Sequence, residues 1–398
     1  MNSVVRSVLQ HAPDRGVGIY LDHHSTTPVD PRVAEVVMRA MIDDFGNANS
    51  VDHKHGEVSR RIVDAAASSI AELVICDAAD VHFTSGSTEA IRLAVAHALG
   101  SARTLPLRIG LSRVEHPAVL DTVRRAQELG LATPIWIDVD AQARLSMRSL
   151  QQALEGDVDL LCVMLANNEV GTIYPLSEIF ALADSAGASM LVDATQAAGR
   201  VSIDLDQTPV DYLILSSHKI YGPKGVGALV SRTYDASLTY GLAVTHEATP
   251  NVPGIAGMGE ACRLMREEGE DETARIAALR DQLAVLLTGG LPELVLNGPR
   301  EDRLAHNLHV SLPGIPNDLV VQRLRGRVAI STGAACMSGA QSASHVLKAM
   351  NLPQELQDSA LRIGLGRFTT SNEVTHAAAE IITAVHDVAS VLKAKTDE

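Results

Sequence analysis

Between residues 30 and 260 the spacing of apolar positions switches back and forth between two periods. Residues 31–45 and 54–73 place apolar side chains every three to four positions, and Pro31 opens the first run, so both predict amphipathic helices. Residues 81–84 form a short apolar strand, and 88–99 return to helical spacing. Further short apolar runs at 107–111, 133–137, 160–165, 190–193 and 210–215 predict strands, with helices at 119–129 and 176–186 among them. Alternation of this kind predicts an α/β domain, a mostly parallel sheet with helices on both faces. Ligands of such sheets sit beyond the carboxyl ends of the strands. Thr84, Asp193 and Ser216 lie at such ends. After the turn Asn251-Val252-Pro253-Gly254 a long helical stretch, 255–287, leads into a smaller α+β unit. That unit has strands at 307–312 and 328–331 and helices at 318–324, from 345 and at 373–393. The expected division is a large domain of 28–260 and a smaller domain of 1–27 with 261–398.

Composition narrows the function. The 398 residues are 46% hydrophobic and 20% charged, enough for a large packed core. A net charge of −15 argues against a general nucleic-acid or anionic-membrane binder, and 3% aromatics argue against base-stacking platforms. No apolar run reaches the ~18 residues of a membrane span, and residues 1–18 lack the apolar core of a signal peptide, so a cytoplasmic protein is expected. Cys76, Cys162, Cys262 and Cys336 are far apart, with no metal-ligand spacing. Cys76 and Cys162 lie in apolar surroundings and read as packing residues.

The richest chemistry follows the strand at 210–215. Ser216-Ser217-His218-Lys219 is succeeded by Tyr221-Gly222-Pro223-Lys224-Gly225-Val226-Gly227. A lysine just past a strand end, among hydroxyls and a glycine-rich turn, suits the Schiff base of an aldehyde cofactor; a lone loop lysine would be solvated. Thr84 to Glu89 can cradle a phosphate with Ser87 and Thr88 at a helix N-terminus, or serve as a capping box. Asp193 can pair with a protonated pyridine nitrogen or cap the next turn, and Gln196 can donate to a phenolate. His116 can stack on a ring and carry protons, or be solvated. Asn168 can reach a cofactor oxygen and a substrate carboxylate, or act as a turn residue. Cys336 lies in a run of small residues, 331–340, which favours a reactive loop cysteine. Arg362, in an apolar strand, can grip a carboxylate or be solvated at the surface. Together these parts suit pyridoxal 5'-phosphate.

In their order, these segments resemble the cysteine desulfurases, fold type I enzymes of the class V aminotransferase group. The resemblance runs from residue 20 to residue 370 and includes 21–28 (Leu-Asp-His-His-Ser-Thr-Thr-Pro), 45–50, 84–89, 115–116, 167–171, 193–196, 218–225, 332–336 and the Arg362 strand. It implies a mostly parallel seven-stranded sheet in the large domain, with the cysteine loop on the small one. It also implies that L-cysteine becomes L-alanine, with its sulfur held as a persulfide on Cys336. Lys219 would bind the cofactor and move the substrate α-proton, His116 would stack on the ring, and Asp193 and Gln196 would pair with its nitrogen and phenolate oxygen. Ser87, Thr88, Ser216 and His218 would hold the phosphate, and Asn168 and Arg362 the substrate carboxylate. Family members are homodimers in which the equivalent of Thr249 reaches the neighbouring subunit's phosphate. The length of the loop from Cys336 to His345 resembles the branch that hands sulfur to a separate protein acceptor. No metal and no direct nucleic-acid contact are expected. The chain departs from the family pattern at two places: residues 237–251 lack the usual glycine run and arginine, and Arg92 stands where asparagine is common. Two other readings remain: another class V reaction, either transamination or selenocysteine lyase chemistry, and an impaired cofactor-binding scaffold that docks a sulfur acceptor.

Overall fold

The computed structural model describes residues 18–239, 249–332 and 344–396. In chain order the strands begin with β1 (Ile19–Tyr20), β2 (Val81–Thr84), β3 (Leu107–Ser112), β4 (Ala132–Ile137), β5 (Leu160–Met164), β6 (Ser189–Asp193), β7 (Tyr212–Ser216) and β8 (Gly227–Val230). The last seven make one sheet in the order β2-β8-β7-β6-β5-β3-β4. Strands β4, β3, β5, β6 and β7 run parallel, whereas β8 is antiparallel to both its neighbours. Strands β5, β7 and β8 are buried along their whole length, as expected of a sheet covered on both faces. Helices Lys54–Val74, Leu176–Ala186 and the first half of Val252–Gly290 pack on one face. Helices Ser87–Ser101 and Pro117–Glu128 pack on the other.

Strand β8 was not expected from the sequence. Only four residues long and entered through a Gly/Pro/Lys turn, it has no period of its own. Its position is nevertheless decisive, because Gly227 pairs with Thr84 on one side and Ser216 on the other. A Cβ on Gly227 would lie 2.8 Å from Gly86 and 2.7 Å from the Leu215 carbonyl oxygen, so glycine is what lets these backbones meet. Helix Met147–Leu154, capped by Ser146, was also missed. The long helix begins at Val252, earlier than expected. Asn251 caps it through the Gly254 N–H, and Pro253 fits a first turn, where no N–H is needed.

The second layer contains β9 (Val295–Leu296), β10 (Asn307–Ser311) and β12 (Ala360–Gly364), antiparallel in the order β12-β10-β9. The intervening β11 (Val328–Ala329) pairs in parallel with β1. Helices Asn317–Leu324 and Ser371–Thr396 cover this layer. The 39-residue helix Val252–Gly290 belongs to both cores. Ile255, Met258 and Leu264 pack under the large sheet, and Ile276, Leu283 and Leu287 enter the second core.

A buried ion cluster ties the layers together. The Arg367 guanidinium bonds Asp30 at 2.8 Å and Glu272 at 2.5 Å and lies 4.4 Å over the Tyr221 ring. Burial would raise the Asp30 pKa, but hydrogen bonds from Arg32 and Arg367 outweigh it and hold the carboxyl at about 2. Removing one partner of such a cluster leaves buried charge uncompensated. Arg367→Ala is therefore expected to cost about 3–5 kcal/mol, read as a lower urea midpoint for unfolding. Among the described residues, no helix is long and apolar enough to cross a membrane.

Candidate active site

The carboxyl ends of β5, β6 and β7 and the turn after β2 converge at one edge of the sheet, opposite β12 of the second layer. Lys219 ends a 3-10 turn, Ser217–Lys219, directly after β7. Its Nζ donates to the carbonyl oxygens of His24 at 2.5 Å and Ser25 at 2.7 Å. The Arg200 guanidinium holds the Lys219 carbonyl at 2.7 Å, so the turn is fixed from the backbone side.

Asp193 ends β6 with 5% of its surface exposed, and its carboxylate accepts the Thr195 N–H at 2.9 Å. It thus caps the turn that follows β6. Gln196 is buried beside it; its Nε2 donates to the His24 carbonyl at 3.1 Å and its Oε1 faces His24 Nδ1 at 3.3 Å. His116 is the N-cap of Pro117–Glu128, with Nδ1 accepting the Ala118 N–H at 3.1 Å. Burial pushes its pKa down, partly opposed by Asp193. The ring is therefore neutral, carries its proton on Nε2, and is not a solvated loop histidine.

The turn after β2 carries part of a capping box and leaves the hydroxyls of Ser87 and Thr88 out of it. The N-cap of Ser87–Ser101 is Gly86, at φ 149°, with no side-chain bond to the helix. Glu89 reaches back to the Ser85 N–H at 2.5 Å, so neither the Ser87 nor the Thr88 hydroxyl serves as the cap. The Ser87 and Thr88 hydroxyls thus lie beside the first-turn N–H groups, which the helix itself leaves without partners. Ser216, at the end of β7, is buried and lies next to this turn through Gly227. His218 Nδ1 is 3.1 Å from Thr26 Oγ1, and burial beside Lys219 and Lys224 lowers its pKa to about 4.

Arg362 is 1% exposed, so it is not solvated at the surface. It donates to the Asn168 carbonyl at 3.2 Å and pairs with Asp22 at 3.1 Å, while its Nε has no partner among the described residues. Asn168 does lie in a turn, and the neighbouring Asn167 holds that turn in place. The Asn167 side-chain oxygen accepts the Glu169 and Val170 N–H groups. Thr249 is exposed just before the Asn251-capped helix. Cys336 lies outside the described residues, as does most of the shortened segment before Thr249. Arg92 is exposed, and nothing in the structure explains its replacement of asparagine. Cys162 is buried in β5, and burial pushes its thiol up; half-buried Cys76 is pushed to about 11.

Several neighbours of the site carried no role in the sequence reading. Asp22, His24, Asn307 and Glu169 surround Lys219, Gln196 and Arg362. Asp22 and His24 stand in the quoted 21–28 motif, and Glu169 in 167–171. The signal for them was therefore present, but only as adjacency to assigned residues. Ser344 donates to Glu169 at 2.5 Å, and His345 Nε2 lies 2.9 Å from the Glu115 carbonyl, which fixes the start of helix His345–Ala349 against the site.

The class-V aminotransferase family matches residues 19–376. A cysteine desulfurase IscS of Anaeromyxobacter sp. (strain Fw109-5) is 39% identical over 370 residues, 90% of each chain. Among solved structures, a NifS-like protein superposes with a TM-score of 0.83 at 27% identity, covering 92% of this chain and 98% of its own. SspA, solved in complex with cysteine, gives 0.76 at 25% identity, covering 88% and 100%. Sequence match over nearly the whole described chain and a fold shared from sheet to second layer lead to one placement: the chain belongs to the class-V aminotransferase family, among the cysteine desulfurases.

Proposed function

We propose that this protein is a pyridoxal 5'-phosphate-dependent cysteine desulfurase that converts L-cysteine to L-alanine and passes the sulfur on from Cys336. The observation that carries this is the placement of Lys219, Asp193, Gln196 and His116 at one sheet edge, facing a fully buried Arg362. The residues fit the cofactor. A buried carboxylate suits a protonated ring nitrogen, the Gln196 amide has a second N–H to give, and the Gly86 terminus suits a phosphate. When bound, the cofactor supplies an electron sink for the substrate's α-carbon.

The chain's own groups do the rest. Ser87, Thr88, Ser216 and His218 would hold the phosphate, and Asp193 the ring nitrogen. Neutral His116 would lie on the ring and hold its Nε2 proton ready for transfer. Arg362, helped by the Asn168 amide, would bind the substrate carboxylate through its Nε, unpartnered among the described residues, and its remaining N–H groups. Lys219 would hold the cofactor and afterwards move the substrate's α-proton. Cys336 thiolate would attack the substrate sulfur; the sulfur–carbon bond breaks, and Cys336 keeps the sulfur as persulfide. The carbon skeleton gains the protons and leaves as L-alanine, so no outside oxidant is needed.

The finer assignments belong to the same reading. The division is 28–260 against 1–27 with 261–398. The protein acts in the cytoplasm, without nucleic acid, and hands its sulfur to a protein acceptor. A second copy of the chain covers the exposed apolar group Met41, Ile42, Phe45 and Val51, which are 62–84% exposed, and receives Thr249 at its phosphate site. The test is alanine and sulfide formation from L-cysteine with a reductant, wild type beside Cys336→Ala. Wild type should turn over, and Cys336→Ala should keep the cofactor's visible band but lose sulfide release by about a thousandfold. Full activity in Cys336→Ala would overturn the persulfide assignment.

A further inference from the structure

Behind the site, four side chains form a chain of hydrogen bonds whose direction is fixed from one end. Arg303 is buried, and its partners are neutral oxygens: Pro299 O at 2.6 Å, Asn297 O, and Asn307 Oδ1 at 3.2 Å. A guanidinium only donates, so the Asn307 oxygen faces Arg303 and its Nδ2 faces the other way. The Glu169 carbonyl, which only accepts, lies 2.7 Å from Nδ2 and requires the same orientation. The second Nδ2 hydrogen points at His24 Nε2, 3.0 Å away, which must therefore be unprotonated. His24 is fully buried, and burial together with Arg362 keeps its pKa well below the usual value, so it carries one proton, on Nδ1. That proton goes to Gln196 Oε1, leaving Nε2 as the end of the Gln196 amide that can donate. His306 stacks on the His24 ring at 4.3 Å and holds its plane. A Cβ on Gly171 would lie 2.5 Å from the Asn307 side chain, so the turn at 167–171 also reserves the space that Asn307 occupies.

We propose that Arg303, Asn307 and His24 are positioning residues that make Gln196 present an N–H rather than a carbonyl to the ring oxygen of the cofactor. The inference rests on the reading that Gln196 faces that oxygen.

Asn307→Asp tests it. A carboxylate only accepts, so Arg303 and His24 Nε2 must both donate to it, His24 Nδ1 becomes an acceptor, and Gln196 turns to donate to His24. A second proton on His24 is resisted by burial and by the Arg362, Arg200 and Lys219 cations around it. The carboxylate loses the bond to the Glu169 carbonyl, and the charged partner that Arg303 gains offsets that loss, so the fold should tolerate the change. The readout is the visible band of purified protein loaded with pyridoxal 5'-phosphate and titrated with base. An oxygen that loses its donor holds a shared proton more tightly, so the pH midpoint should move up by about one unit. In a Gln196→Ala background, Asn307→Asp should produce no further shift. His24→Phe, which keeps the stack on His306, should shift the midpoint in the same direction and is likewise silent on Gln196→Ala. An unchanged midpoint in both single variants overturns the relay, as does an equal shift with and without Gln196. Wild type that takes up no cofactor overturns the underlying reading, and the relay with it.

Discussion

Replacing Lys219 with alanine is expected to abolish alanine formation from L-cysteine and to remove the visible band of bound pyridoxal 5'-phosphate. The amine is asked to do two things: hold the cofactor and carry the substrate's α-proton. Positioned proton transfer alone is worth about 10²–10⁴ in rate, and loss of the covalent hold adds to it, so turnover should fall by at least about 10⁴. The backbone of the turn should survive the change. Ile220 and Gly222 N–H groups both bond the Ser217 carbonyl, and Arg200 holds the carbonyl of residue 219 itself. A folded variant without the band is therefore the expected result, measured by absorbance and circular dichroism on the same sample. Turnover within about tenfold of wild type would remove Lys219 from the chemistry.

The second large effect is expected at Arg362. Arg362→Gln should lower kcat/KM for L-cysteine by about 10²–10³, mostly through KM, because a buried charge-assisted contact is worth about 2–5 kcal/mol. Lysine should rescue little, since a single ammonium cannot span Asn168, Asp22 and a carboxylate at once. The variant removes the ion-pair partner of Asp22. Burial already raises the Asp22 pKa, and Arg362, ahead of Lys219 and Ser25, opposes the rise. Without it the folded-state pKa climbs further above the unfolded value. The folded protein then binds that proton more tightly, so the variant's stability should be best in acid and should decline as pH rises through the new pKa. Comparing Tm at two pH values separates this structural cost from the KM effect. A variant whose KM is unchanged would show that the carboxylate binds elsewhere.

Periodicity served well where elements were long or wholly apolar. The helix at 54–73 and the strands at 107–111, 160–165 and 190–193 lie within a residue or two of the observed bounds. It failed at β8, where turn residues supply the strand's entry, and at Met147–Leu154, where only two turns of helix carry the pattern. The Pro-Gly after Asn251 reads as a turn in isolation; only packing against both cores makes it the first turn of a long helix. For the site, residues just past predicted strand ends were legible because topology alone brings such ends together. Arg303 and Asn307 were not, and the partnerships of Asp22 and His24 were not either, although both residues stand in the 21–28 motif. Asn307 and His24 are 283 positions apart, and Asp22 and Arg362 are 340 apart. Partnerships of that range leave no periodic trace in one sequence. The part played by Asn167 was hidden for a similar reason. Adjacent asparagines are alike until the Glu169 and Val170 N–H groups select one of them.

The helix from Val252 to Gly290 imposes a mechanical condition. At 1.5 Å per residue its 39 residues extend for about 58 Å, longer than most small domains are wide. Both ends are clamped by apolar packing, and Arg367 bonds Glu272 near the middle. The two layers therefore cannot swing apart about a loose linker, because any large rotation would have to bend a continuous rod or tear a core. Substrate access must come from local rearrangement at the sheet edge, on loops and side chains. Chains cut within this rod would expose an apolar stripe on each fragment, which makes the enzyme a poor subject for division into separately folding halves.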